Sequence, residues 1–375
     1  MAKRLLIGVA GVFVLGLAIV LVVPGFRSVL IGAIRNEGFS EGRPVSYWLH
    51  EAASHTDADR EHAVHVLGRL SAASPDVIPT LVNALKDKDY IVRKNAAVSL
   101  GEIGPSAAPA VPALVAALAD SDARVRREVA GAVGLIGPEA REAVPALIKA
   151  KRSDRDNFTR FWAIASLGRI GPQTADVIPA LIESLADHDA PPTIPSQTAM
   201  QALGWIGPAT VPALTEALSN ENPKLRAGAA TVLSGMGPAA KPAIPALTKL
   251  LTDSELPVRL EAARSLWRLD RQARAVLPVL LGVLHDGSHA AQGTVAQLVG
   301  EIGPEAKEAV PTLIRLLSDT DPNFRRVAAA SLGAIGPDAK EAIPALNMAL
   351  KDGEQDVRTQ AAEALRLIDP SRASD

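Results

Sequence analysis

PDVIPTLVNALKDKDYIVRKNAAVSLGEIGP, residues 75–105, reads as a helical hairpin in its apolar spacing. Pro79 belongs in a first helical turn, where its missing amide hydrogen is harmless. Leu81, Val82 and Leu85 follow at helical intervals. Asp87 and Asp89 predict a turn, with Asp89 capping a second helix whose stripe is Val92, Ala96, Ala97, Leu100 and Ile103. Gly104 is expected as the left-handed cap of that helix and Pro105 as the barrier beyond it.

The phrase around Pro79 returns at Pro112, Pro145, Pro179, Pro212, Pro245, Pro278, Pro311 and Pro344, at intervals of 33 or 34 residues. One such hairpin cannot cover its own apolar face, so copies must stack on one another. Two further positions recur. An arginine stands early in most second helices: Arg60, Arg93, Arg126, Arg160, Arg226, Arg259, Arg325 and Arg358. A small residue stands near their ends: Gly68, Gly101, Gly134, Gly168, Gly204, Ser234, Gly300 and Gly333. A glycine inside a helix costs about 1 kcal/mol against alanine, and close approach of a neighbouring helix would offset that.

Paired helices, an Asp-x-Asp turn, a recurrent arginine and a Gly-x-Ile-Gly-Pro ending together resemble the HEAT repeat, in its short bacterial variety, similar to the repeats of phycobilin lyases. The resemblance covers residues 42–369 and implies an all-α, right-handed α-solenoid with the second helices on the concave side. The organisation expected is a membrane segment at 1–23, a linker at 24–41, a capping repeat at 42–74, nine HEAT-like repeats at 75–369 and a tail at 370–375. Tyr47 and Trp48 fill the first cap; Arg366 replaces the small residue in the last unit, with Thr359, Gln360 and Glu363 making its outer face polar.

Leu5–Val23 is nineteen residues without a charge, about 29 Å as a helix at roughly 1.5 Å per residue. It reads as an uncleaved membrane anchor, with a cleaved signal peptide and a secreted body as the alternative. Lys3 and Arg4 before it, against Arg27 and Arg35 after it, favour a cytoplasmic N-terminus and an exported body. Without those four residues, 35 basic and 41 acidic side chains leave the body at −6, a poor match for nucleic acid. The chain has no cysteine, which excludes disulfides, thiol nucleophiles, cysteine-held zinc and iron–sulfur clusters.

Catalytic signatures are missing: no phosphate-binding glycine loop, nucleophile elbow or cysteine–histidine pair occurs. His50 and His55 in HEAASH resemble a zinc signature with one residue too many, which turns the second imidazole about 140° around the helix. His62 and His65 share a face, but they read as surface histidines. Deoxyhypusine hydroxylases share the fold and carry repeated His-Glu pairs; here His50-Glu51 stands alone. No metal, cofactor or catalytic residue is therefore expected. The arginine ladder reads as structural, tied to inter-helix aspartates such as Asp87, Asp120 and Asp319.

Departures from the repeat gather in its middle. Phe158, Phe161 and Trp162 enter the third unit; the fourth replaces the arginine by Ser196, inserts APPTIP at 190–195 and carries Trp205 where its neighbours have Glu102, Leu135 and Arg169. Trp267 takes the small position of the sixth, whose Gly-Pro stop is replaced by LDRQAR. Clustered aromatic and arginine side chains make interface anchors, so Phe158, Phe161, Trp162, Arg169 and Trp205 are the candidate contacts. The function expected is a membrane-anchored, non-catalytic scaffold holding a protein or peptide on its concave face. The alternatives are an enzyme or subunit similar to bilin lyases, acting on a protein-bound prosthetic group, and a passive spacer.

Overall fold

The computed structural model describes residues 32–33, 38–187, 195–286 and 289–371. The expected anchor at Leu5–Val23 lies outside them, as does most of the 190–195 insertion. Among the described residues no helix is long and apolar enough to cross a membrane.

The chain divides into two compact units, Met1–Ile206 and Gly207–Asp375. The first holds a capping pair, α1 (Val45–Glu51) and α2 (Asp57–Arg69). Four pairs follow: α3 (Val77–Ala84) with α4 (Tyr90–Ile103), α5 (Val111–Ala117) with α6 (Ala123–Ile136), α7 (Val144–Ser153) with α8 (Asn157–Ile170), and α9 (Val177–Glu183) with α10 (Pro195–Ile206). The second unit holds α11 (Val211–Ala217) with α12 (Pro223–Gly235), α13 (Ile244–Lys249) with α14 (Leu256–Asp270), α15 (Ala273–Asp286) with α16 (His289–Ile302), α17 (Val310–Leu316) with α18 (Pro322–Ile335), and α19 (Ile343–Ala349) with α20 (Gln355–Ile368).

The all-α expectation misses one element. Strands β1 (Phe39–Ser40) and β2 (Arg43–Pro44) form an antiparallel hairpin ahead of the capping pair. Its turn residues, Glu41 and Gly42, both have positive φ, as a tight two-residue hairpin turn demands. The Trp48 indole donates to the Ser40 carbonyl, and Glu41 meets His62 and Arg69 of α2, so the cap begins three residues before the expected boundary at 42.

Helix ends also differ from expectation. Gly104 has φ 69° and ψ −140°, outside the left-handed helical basin and in a region that side chains avoid. Pro105 does not stop the chain; it opens a 3-10 helix, Gly104–Ala110, where proline's fixed φ suits a first turn. The same seven-residue segment recurs at Gly137–Ala143, Gly237–Ala243, Gly303–Ala309 and Gly336–Ala342. In the first unit these segments pack between successive first helices.

Second helices touch through the small residues. A Cβ on Gly134 would lie 2.9 Å from the Cα of Ser166, one on Gly168 2.9 Å from that of Ala202, and one on Gly333 2.8 Å from that of Ala364. Real Cβ atoms do not approach so closely, so glycine sets the spacing. At several of these crossings a serine hydroxyl donates to a backbone carbonyl of the preceding second helix: Ser99 to Val64, Ser166 to Ala130, Ser265 to Ala230 and Ser331 to Ala296. Each hydroxyl is thus buried with a partner, as a buried polar group requires.

Trp267 breaks the pattern. It faces a following helix whose equivalent of Ser331 is Leu298, and α14 shares far less contact with α16 than α18 does with α20. The ring is buried with its indole nitrogen unpartnered among the described residues, and the Arg271 guanidinium lies 4.7 Å from its centroid. Arg271, with φ 50° and ψ 38°, takes the left-handed cap that glycine leaves vacant there.

Gly134→Ala is expected to lower stability by about 1–3 kcal/mol, since overpacking exceeds the gain in helix propensity. Gly282→Ala, whose new methyl meets nothing within 4 Å, should raise it by up to about 1 kcal/mol. Chemical denaturation followed by circular dichroism reads both; equal shifts would remove glycine's spacing role.

Candidate functional site

The inter-helix turns supply a frame of ion pairs. In the fully described turns between first and second helices of the repeats, the first residue's side chain accepts the backbone N–H of the residue two on, as Asp87 from Asp89, Asp120 from Asp122 and Asp154 from Asp156. Where the second is Asp or Asn it then caps the helix: Asp89 accepts from the Ile91 amide and Asp122 from that of Arg124, whereas Glu255 and Glu354 make no such bond.

The arginine ladder staples one turn to the next. Arg93 donates Nη1 to the Asp87 carbonyl of its own turn while Nε and Nη2 fork onto Asp120 at 2.7 and 2.9 Å. Arg126 joins the Asp120 carbonyl to Asp154, Arg226 the Asn220 carbonyl to Asp253, and Arg325 the Asp319 carbonyl to Asp352 in the same way. Arg60 forks onto Asp87 from the capping pair. Arg160, Arg259 and Arg358 likewise donate to carbonyls of their own turns, Asp154, Asp253 and Asp352. Arg60 holds Asp87, and Arg226 holds Asp253, below the usual carboxylate range. Burial pushes Asp120 and Asp154 up, but Arg93 and Arg126 together with the Asp122 and Asp156 amides outweigh it and both carboxyls end low.

The five candidate contacts separate into two kinds. Phe158 belongs to the frame: Arg127 lies over its ring at 4.6 Å and forks onto Asp156 at 2.6 and 2.7 Å. Asp156 also accepts from the Thr159 amide and hydroxyl, and Arg127 foremost lowers its carboxyl to about 2. Phe161 and Trp162 are half-buried and meet edge to face at 5.3 Å. The Trp162 ring lies over Gly131 of α6, 3.7 Å from where a Cβ would stand, with Arg169 at 6.0 Å.

Arg169 and Trp205 are exposed, at equivalent places on α8 and α10. Trp205 is 59% exposed, far more than packing explains for the largest apolar side chain. Leu135 occupies the same place on α6 and is 50% exposed. It escaped the list of candidates because a lone leucine in a helix reads as core; the column became visible only once α6, α8 and α10 lay side by side.

Lys151 was also missed. It stands where the two preceding units have Leu85 and Leu118, yet it is 4% exposed. Its ammonium donates to the Ala180 carbonyl at 2.9 Å and to Glu183 at 3.0 Å, and Glu183 also receives Arg152. Burial raises the Glu183 carboxyl, but Arg152 and Lys151 outweigh it and hold it low. His62 lies 2.9 Å from Glu41 and edge-on to Trp48, and no cluster of three or more metal-binding side chains forms among the described residues.

Models of HEAT repeats match residues 46–130, 111–194, 188–267 and 277–366. The chain belongs to the HEAT-repeat family. Among solved structures, this HEAT-repeat chain is similar to the karyopherin Kap121p bound to the extreme C-terminus of the protein phosphatase Cdc14p, at 14% identity and TM-score 0.70, over 88% of this chain and 42% of that one. It is similar to Kap95p in a structure with RanGDP at 15% identity and TM-score 0.60, over 88% and 52%, and to importin beta at 14% and 0.60, over 88% and 53%. The chain thus spans about half of these proteins or less, and at such identities the likeness is of fold. No curated protein matches it in sequence.

The Asp156 node has a pH signature. Its folded carboxyl, at about 2, lies below the ~3.9 of an unfolded aspartate. Its contribution is therefore complete above about pH 4 and is lost as pH falls towards about 2. Urea midpoints measured from pH 7 down to pH 2 should fall over that window, and less steeply in Asp156→Asn. An acid limb of unchanged slope would show that the pair is not coupled to folding.

Proposed function

We propose that this HEAT-repeat protein is a membrane-anchored, non-catalytic scaffold that holds a protein or peptide partner on the second-helix face of its first unit. The observation that carries this reading is Trp205, an aromatic left 59% exposed on the helix after that of Arg169, at the equivalent position, on a face whose crossings and turns from α2 to α8 are satisfied by small residues and ion pairs. The fold supports it. Solved neighbours include Kap121p bound to the Cdc14p C-terminus, to Pho4p and to the SUMO protease Ulp1p. Phe161 and Trp162 shape the floor of the face, with Arg169 and Trp205 standing on it. Leu5–Val23 supplies the anchor, and the charges flanking it orient the repeats to the exported side.

In native membranes, a photo-reactive group at Gln201, one turn from Trp205, should capture a discrete protein. The same group at Ala116, exposed on first helix α5, should not. Trp205→Ala should reduce capture at least about tenfold while leaving the helical spectrum unchanged. Equal capture from both positions, or capture indifferent to Trp205, would overturn the reading. Protease added to intact cells should cleave the repeats; full protection would place them on the cytoplasmic side.

A further inference from the structure

The second helices of the second unit, α12 to α20, meet at four crossings, and three of these share a construction. A small residue, Ser234, Gly300 or Gly333, stands where the next helix arrives. At the first two a serine hydroxyl donates to a carbonyl of the helix behind it, Ser265 to Ala230 and Ser331 to Ala296. A seven-residue 3-10 passage, Gly237–Ala243, Gly303–Ala309 or Gly336–Ala342, then carries the chain to the next first helix. The crossing of α14 with α16 has none of these parts. Trp267 replaces the small residue, Leu298 replaces the serine, and no 3-10 segment follows α14 among the described residues. Only Arg271 and Gln272 separate α14 from α15, which packs directly against it. The HEAT-repeat matches overlap one another up to residue 267 and resume at 277, so the family's pattern lapses at the same turn.

Space-filling accounts for part of this departure only. Trp267 and Leu298 are both 5% exposed, so the crossing is filled. Filling does not explain the Trp267 indole nitrogen, a buried donor with no acceptor among the described residues. Nor does it explain Arg271, a non-glycine residue at φ 50° and ψ 38°. A buried donor without a partner keeps its full desolvation cost, and a left-handed residue with a side chain keeps its steric one. The first of these costs is relieved where α14 and α16 draw apart and water reaches the indole.

The two kinds of crossing differ in stiffness for a physical reason. Where glycine meets the next helix, main-chain atoms make the contact, and they have no rotamers with which to yield. A Cβ on Gly300 would stand 3.1 Å from the Cα of Ser331, and one on Gly333 2.8 Å from that of Ala364. At the α14–α16 crossing the large residues Trp267 and Leu298 keep the backbones apart, and these two helices share far less contact than α16 with α18. Helices joined through side chains yield by rotamer change, and sparse contact lowers the cost of local opening.

We infer that the α14–α16 crossing is a hinge: α11–α14 and α15–α20 each hold together and turn against one another about Arg271, with α14 and α16 parting on the second-helix side. The packed contact of α14 with α15 lies on the side of the axis, and Trp267 lies on the side that opens. Each opening uncovers the indole N–H and each closing buries it again. The closed crossings on either side keep their glycine contacts and serine bonds throughout. The hinge belongs to the second unit alone and does not depend on the partner site proposed for the first.

The chain has no cysteine, so spin labels can be placed in chosen pairs on the full chain in lipid nanodiscs. Lys249, Gly282, Arg315 and Met348 hold one exposed position on the first helices α13, α15, α17 and α19. Labels at Lys249→Cys and Arg315→Cys span the hinge and one closed crossing; labels at Gly282→Cys and Met348→Cys span two closed ones. Electron-spin distance measurement should give the first pair a distribution at least about twice as wide as the second. Trp267→Gly with Leu298→Ser, which restores a small residue and a serine, should narrow the first pair to the width of the second. Equal widths in the parent chain overturn the hinge. So does a first pair that stays wide in the restored chain while the second pair, unchanged, reports an intact fold. Leu298→Ser alone takes the place of the double change if that change disturbs the second pair.

Discussion

Everything in this chain depends on how closely one second helix can approach the next. Glycine on one side and serine or alanine on the other bring backbones to a distance that a single added methyl would prevent. The approach also places a carbonyl of one helix within reach of a serine hydroxyl on its neighbour, so burial and hydrogen bonding reinforce each other. A glycine that weakens its own helix by about 1 kcal/mol thereby strengthens the stack.

The turns use a second, ionic device for the same end. Each forked arginine spans two turns, holding a carbonyl behind it and an aspartate ahead. Such geometry fixes the angle between successive pairs, which apolar contact alone leaves soft. The aspartates are tied on both sides, to an arginine and to a backbone amide, and their lowered carboxyls follow from that double attachment. With crossings and turns satisfied internally, the outward column of the second helices carries little structural duty beyond Leu135 and Leu367, which lean on the preceding helix at Gly101 and Gly333, and it is otherwise free to vary. Variation is what it shows.

The large residues of the middle repeats serve different ends, which burial separates. Trp267 is buried and accompanies a loosened crossing, with Leu298 opposite where a small residue would otherwise stand. Trp162 fills the space that Gly131 opens, and Phe158 lies beneath Arg127 in the charged node around Asp156. Trp205 does none of these things, and its exposure is the reason it stands at the centre of the functional reading.

The repeat itself was legible in the residues: a thirty-three-residue period, helical spacing of apolar positions and the Asp-x-Asp turn are local signals, and local backbone physics is enough to convert them into paired helices. Recurrent arginine and glycine also announced themselves by position, and aspartate as the arginine's kind of partner, though the individual pairings did not. Which aspartate an arginine reaches, and that glycine faces serine, are decided by the next repeat, about thirty residues away. The hairpin at Phe39–Pro44 and the 3-10 passage after Gly104 were hidden because two strand residues or one Gly-Pro pair carry too little pattern to distinguish a turn from a short element. Buried Lys151 and exposed Leu135 were hidden for a related reason. Side-chain type predicts burial only on average, and the actual environment is set by neighbours that only stacking assembles.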